Sequence, residues 1–241
     1  MCSVTFWPRR GGYIVGMNRD ENLARVRGLP PSRAVAGDVH VLQPREPAGG
    51  TWISVNDHGV TFALVNWYAI TARAPRPVVS RGEVVSAMRD TLTSDGAADR
   101  FGRLGLARMD PFRLIGFFPE ERLAVEWRWD VRHPSRTTHP WTPMQWLSSG
   151  HDEPEAQQVR GRTFDSVRGE TDAGSVHWLR RLHASHAPDR GPFSTCMHRS
   201  DAATVSYTEI EVDDGSVRMD HSTEALCCGA VVSTGTLRRI R

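Results

Sequence analysis

Residues 12–22 read GYIVGMNRDEN, an apolar strand-like segment that runs without a break into the packed polar run Asn18-Arg19-Asp20-Glu21. The preceding segment, CSVTFW at residues 2–7, has the same apolar character, and PRRGG separates the two. Two such segments flanking a Gly-bearing loop predict a β-hairpin spanning residues 2–7 and 12–18. If the strands pair antiparallel, the end of the second returns to the level of Cys2, the residue behind the initiator methionine. That hairpin sets the reading of the rest of the chain.

Outward from it, residues 19–49 are rich in Pro, Gly and Arg and predict ordered loop with one short strand at 39–43. TWISV (51–55), NDHG (56–59) and VTFALVNWY (60–68) predict a second hairpin, whose second strand is apolar enough to be covered on both faces. Ser80 and Glu83 have the spacing of a capping box opening a helix to Leu92. FRLIGFF (112–118) and RLAVEWRWD (122–130) predict a third hairpin, 132–140 a loop and 144–149 a short strand. Helices follow at 153–169 and 174–186, then strands at 193–198, 203–212 and 216–222. Strands interrupted by single helices or helix pairs, with no regular β-α alternation, predict antiparallel sheets with helices on their outer faces, an α+β fold. No linker divides the chain, so residues 1–241 read as a single domain.

Composition narrows the function. Thirty basic residues against 28 acidic ones leave a net charge of +2 over 241 residues, not the basic face of a nucleic-acid binder. The basic runs at 179–181 and 237–241 read as solvated ends. Every basic residue is arginine, which excludes Schiff-base and Walker-type lysine chemistry. No apolar stretch reaches bilayer length and no signal-peptide layout opens the chain, so the expected location is cytoplasmic. Cys2, Cys196, Cys227 and Cys228 suit neither a disulfide scaffold nor a CxxC zinc site. His183 and His186, three apart on a helix, are set aside as metal ligands. The expectation is no metal and no cofactor.

Cys2 has chemistry of its own. Removal of Met1 would leave a thiol and a free α-amine on one residue, and the amine, with a reference pKa of about 7.7–8.0, can serve as the thiol's base. Asp20 is the expected orienter of that amine, with Asn18 beside it and Arg19 pointing to the other side of the strand. The alternative is a polar hairpin end carrying surface ion pairs of little energetic weight. Asn66 interrupts an apolar strand and is either an oxyanion donor or an amide satisfied by neighbouring backbone. Asn56 belongs to ordinary turn chemistry.

Cys2, NRDE (18–21), GGTW (49–52), the run from Gly59 to Asn66 and SRG (80–82), in that order, resemble the NRDE family. That family is typified by the transport and Golgi organisation protein 2 homologues, and the resemblance covers the first 90 residues well. More distantly the pattern is similar to the N-terminal nucleophile hydrolases of the choloylglycine hydrolase and penicillin V acylase group. The similarity implies a four-layer αββα sandwich, with Cys2 as nucleophile and base, Asp20 orienting the amine and Asn66 in the oxyanion hole. Ser149 of LSSG stands where that group has a second oxyanion Asn, Arg199 corresponds to a later arginine, and Met17 replaces an arginine. The implied activities are hydrolysis or acyl transfer on a small-molecule amide or thioester. The alternative is binding of a hydrophobic ligand (lipid, acyl-CoA or haem) in the same pocket without turnover.

Overall fold

The computed structural model describes residues 2–229 and 232–241. The first hairpin is β1 (Cys2–Arg9) and β2 (Gly12–Asn22), antiparallel, with Cys2 opposite Arg19 and Arg9 opposite Gly12. The chain continues through β3 (Leu29–Ala36), β4 (Val39–Arg45), β5 (Ile53–Asn56) and β6 (Thr61–Asn66), then helices α1 (Gly82–Met88) and α2 (Ser94–Gly102). Next come β7 (Phe112–Phe118), β8 (Leu123–Trp129), β9 (Pro134–Pro140) and β10 (Met144–Ser148), followed by helices α3 (Glu153–Val167) and α4 (Val176–Ala184). β11 (Ala202–Val212), β12 (Ser216–Ser222) and β13 (Val232–Arg238) complete the order.

Two antiparallel sheets result. One has the order β10-β1-β2-β11-β12-β13 and the other the order β3-β4-β5-β6-β7-β8-β9. Side chains alternate along β1, so Cys2, Val4 and Phe6 point between the sheets while Ser3 and Thr5 point the other way. Val4, Phe6 and Met17 meet Leu42, Val55, Ala63 and Phe117 of the facing sheet. On the outer face of the second sheet, Val84, Val85, Met88 and Phe101 from α1 and α2 pack on Phe62, Leu114 and Trp127. On the outer face of the first, Phe164, Trp178, Leu179 and Leu182 from α3 and α4 pack with Ile14. The layers are helix, sheet, sheet, helix. β2 lies inside the first sheet with both faces covered, which is why residues 12–20 are buried without interruption.

Several local expectations are corrected. The segment expected as loop at 19–49 holds β3, and the one at 132–140 forms β9. Both are edge strands, largely exposed, and both contain Pro, so neither carries the apolar alternation that marks a strand. Helix α2, capped by Thr93 accepting from the Gly96 amide, lies beyond the expected helix end at Leu92. Residues 193–198 form turns and one isolated bridge from His198 to Ala203, not a strand. Ser80 does not form the capping box: its hydroxyl accepts from Gly82, and the residue at the cap is Arg81. The C-terminal basic run is a solvated end only in part: Arg238, Ile240 and Arg241 are exposed, while Leu237 and Arg239 are buried and Arg239 donates to the Gly11 and Asp213 carbonyls and to Glu120.

A buried ion cluster ties β7 to β9. Glu126 is fully buried, receives two hydrogen bonds from Arg128 (2.9 and 3.0 Å), pairs with Arg113 and contacts His139 at 3.2 Å. Burial alone would raise its pKa; the Arg128 hydrogen bonds and the Arg113 charge outweigh burial and hold it down at about 2. A depressed carboxylate stabilises the fold above its unfolded value and loses that contribution as pH falls through the folded one. Chemical denaturation should therefore show up to about 3 kcal/mol disappearing between about pH 4.5 and pH 2. Glu126→Gln should flatten that acid limb; an unchanged limb would assign it to other carboxylates.

Candidate active site

Cys2 opens β1 and lines a cleft of about 320 Å³ together with, among others, Arg19, Asp20, Trp52, Leu64, Asn66 and Arg81. The walls come from two motifs far apart in sequence whose backbones touch. The Thr51 amide donates to the Gly82 carbonyl at 3.2 Å. Gly50 sits at φ +81°, and a Cβ there would stand 3.0 Å from the Gly82 carbonyl carbon. A Cβ on Gly82 would stand 3.1 Å from the Thr51 amide nitrogen. Glycine at both places lets GGTW and SRG close on one another, which brings Trp52 and Arg81 to the same cleft.

The electrostatics around the thiol are mixed. Burial pushes the Cys2 thiol up, while the Arg19 guanidinium and the Asp20 backbone N–H pull the other way. Arg19, directly across the hairpin, stacks over Trp52 at 4.5 Å and pairs with Glu21 (3.2 Å) and Glu46. Arg81 donates to the Pro111 carbonyl at 3.1 Å. Burial lowers its pKa, and the charges of Tyr68, Asp110, Cys2 and Glu21 act against that.

The register corrects the expected grouping. Cys2 shares its strand face with Arg19, whereas the side chains of Asn18 and Asp20 point with Ser3 toward the helices. Asp20 is buried there, accepting from the Thr204 hydroxyl at 2.6 Å and from Arg160 of α3 at 3.3 Å. Asn18 donates to the His183 and Thr195 carbonyls, both at 2.9 Å, and so clips α4 and the 185–201 segment to the sheet. Asn66 lines the cleft with its amide donating to the Tyr68 hydroxyl at 2.8 Å. Ser149 is buried, its hydroxyl donating to the His151 carbonyl at 2.6 Å. Arg199 pairs with Asp201 at 2.8 Å and does not line the cleft. His183 is buried against Thr5, and burial lowers its pKa to about 3, so its ring is neutral.

Arg160, Thr204 and Arg81 escaped the sequence reading as site residues. Arg160 is one helical arginine in a chain whose basic residues are all arginine, and nothing local marks it. Arg81 stands inside SRG, where the glycine contact just described, not the arginine alone, reveals its place.

Comparison with known proteins agrees with this architecture. Two variants of the conjugated bile acid hydrolase from Clostridium perfringens superpose with TM-scores of 0.57 and 0.61 at 8% and 6% identity. The first covers 98% of this chain and 96% of the hydrolase, the second 100% and 97%. Penicillin V acylase from Agrobacterium tumefaciens superposes with a TM-score of 0.54 at 10% identity, over 97% of this chain and 85% of the acylase. Identities this low establish the shared fold and nothing finer. Among curated protein sequences none matches. The family profile described as Transport and Golgi organisation 2 matches residues 1–154. With well over half its length matched, the chain belongs to the Transport and Golgi organisation 2 family.

Proposed function

We propose that this protein is an N-terminal-cysteine hydrolase or acyl-transfer enzyme acting on a small-molecule amide or thioester after removal of Met1. The observation that carries the proposal is the position of Cys2, held by an interior strand in the lining of a cleft shared with a primary amide, Asn66, and two guanidinium groups, Arg19 and Arg81. The thiol attacks the carbonyl carbon as its proton passes to the α-amine of Cys2. The Asn66 amide and a backbone N–H hold the oxyanion. Collapse expels the amine or thiol, which takes the proton back from the α-ammonium. Water, deprotonated by the same amine, then attacks the acyl-cysteine, releasing the acid and restoring the thiol. Because burial raises the thiol, proton removal during attack suits this site better than a standing thiolate. Asp20, fixed by Thr204 and Arg160, orients the amine from the other side of the strand.

One observation favours a second reading, ligand binding without turnover. The Asn66 amide proposed for the oxyanion already donates to Tyr68, and Ser149, which the family resemblance set at a second oxyanion position, donates to the His151 carbonyl. Trp52, Leu64, Val78 and Val79 offer an apolar wall to a hydrophobic ligand. Kinetics on a panel of N-acyl amides and acyl thioesters separates the two. Turnover by wild type is expected, with Asn66→Ala lowering kcat about 10²–10³-fold and KM little changed. Saturable binding with no product from any member would support the second reading.

A further inference from the structure

Away from the cleft, four side chains from three segments converge. His186 follows α4, Cys196 and His198 lie in the turn segment before β11, and Cys227 lies in a one-turn 3-10 helix, Leu226–Cys228, after β12. Their ligand atoms all lie within 4.8 Å of one another. His186 Nε2 and His198 Nε2 are 3.1 Å apart, and the Cys196 and Cys227 sulfurs are 3.5 Å apart. His198 Nε2 is 3.6 Å from the Cys196 sulfur and 3.5 Å from that of Cys227. A tetrahedron with Zn–S near 2.3 Å and Zn–N near 2.05 Å has edges of about 3.8 Å (S···S), 3.6 Å (S···N) and 3.3 Å (N···N). Four of the six edges match those of a Cys₂His₂ zinc site within about 0.3 Å, and the other two, from His186 to the sulfurs, are within 4.8 Å and would close toward about 3.6 Å on binding.

We propose that His186, Cys196, His198 and Cys227 bind one zinc ion as a closed, four-ligand structural site. Two thiolates and two neutral imidazoles balance the dication, and the two thiol protons leave to solvent on binding. Entry is open, since Cys227 is exposed and both histidines are partly so. Exposed Arg190 approaches His198 Nδ1 at 3.4 Å and must turn to solvent when a metal on Nε2 leaves Nδ1 protonated. Cys228, whose sulfur is 3.8 Å from that of Cys227, is outside the ligand set.

The ion would fasten a segment that backs the candidate active site. Thr195 accepts from Asn18, Pro192 accepts from Arg160, and the Met197 amide donates to the Thr204 hydroxyl that in turn holds Asp20. A site of this kind stiffens the wall behind Asp20 without touching substrate.

The test uses the full chain, untagged, reduced and stripped with chelator, then titrated with Co²⁺ and with Zn²⁺ against a competing indicator. One equivalent of cobalt with tetrahedral d–d bands and thiolate charge transfer is expected, displaced by one equivalent of zinc that shields two thiols from alkylation. Cys227→Ser, an exposed position that leaves the core untouched, should lower zinc affinity at least about 100-fold, and Cys228→Ser should not change it. Cobalt spectra without thiolate bands would overturn the proposal, as would Cys227→Ser binding zinc as tightly as wild type. So would a Cys196–Cys227 disulfide that persists in the reduced preparation.

Discussion

Arg160→Met is expected to lower the stability of the fold by about 3–5 kcal/mol, because it removes one partner of a fully buried ion pair together with the hydrogen bonds that its guanidinium makes. The Arg160 and Asp20 side chains are fully enclosed between the first sheet and the helices. Arg160 reaches Asp20 at 3.3 Å, the Ser3 hydroxyl at 3.0 Å and the Pro192 carbonyl at 3.2 Å, so one guanidinium joins β1, β2 and the 185–201 segment. Lysine offers a point charge where a planar fork is needed and should recover only part of the loss. The charge itself is tested by Arg160→Met combined with Asp20→Asn. Removing both charges together avoids burying the Asp20 carboxylate without its guanidinium partner, so the double variant should be more stable than Arg160→Met alone. Urea denaturation at neutral pH reads all three variants. A cost below about 1 kcal/mol for Arg160→Met would mean that the pair behaves as a solvated one.

The second large effect falls on chemistry and not on stability. Cys2→Ala should reduce turnover by roughly 10³-fold or more while the denaturation midpoint moves little, since the change removes only the sulfhydryl group from an otherwise intact strand. Cys228→Ala, at an exposed position, is the matched control and should keep wild-type rates. Equal rates for Cys2→Ala and wild type on any substrate would move the chemistry to another residue.

Antiparallel sheets with helices on their outer faces were legible because their determinants are local, and the four-layer sandwich was what the family resemblance implied. The apolar runs at 2–7, 12–18, 60–68 and 112–118 become the inner strands, and their length and spacing survive in the structure. The edge strands β3 and β9 were not legible: their exposed residues follow the hydrogen bonding of a neighbour, not an alternation of their own. Register was the finer loss. Reading Asn18 and Asp20 as level with Cys2 was sound for the backbone, but a side chain's face changes with each residue of register. The hairpin closes with Cys2 opposite Arg19, so the thiol shares a face with a guanidinium and the carboxylate lies behind the sheet. Arg160 and the His186–Cys196–His198–Cys227 group depend on tertiary packing alone. Only His183 and His186 had a spacing that suggested ligands, and the fold sends His183 into the core and His186 to the cysteines.

The proposed chemistry requires that Cys2 lose Met1 and become acylated, and intact-mass spectrometry of the full chain mixed with an acyl thioester measures this most directly. The expected result is a parent mass lacking Met1 and a transient adduct of one acyl group, mapped by peptide sequencing to Cys2 and absent from Cys2→Ala. Retention of Met1, or acylation confined to Cys196, Cys227 or Cys228, would contradict it.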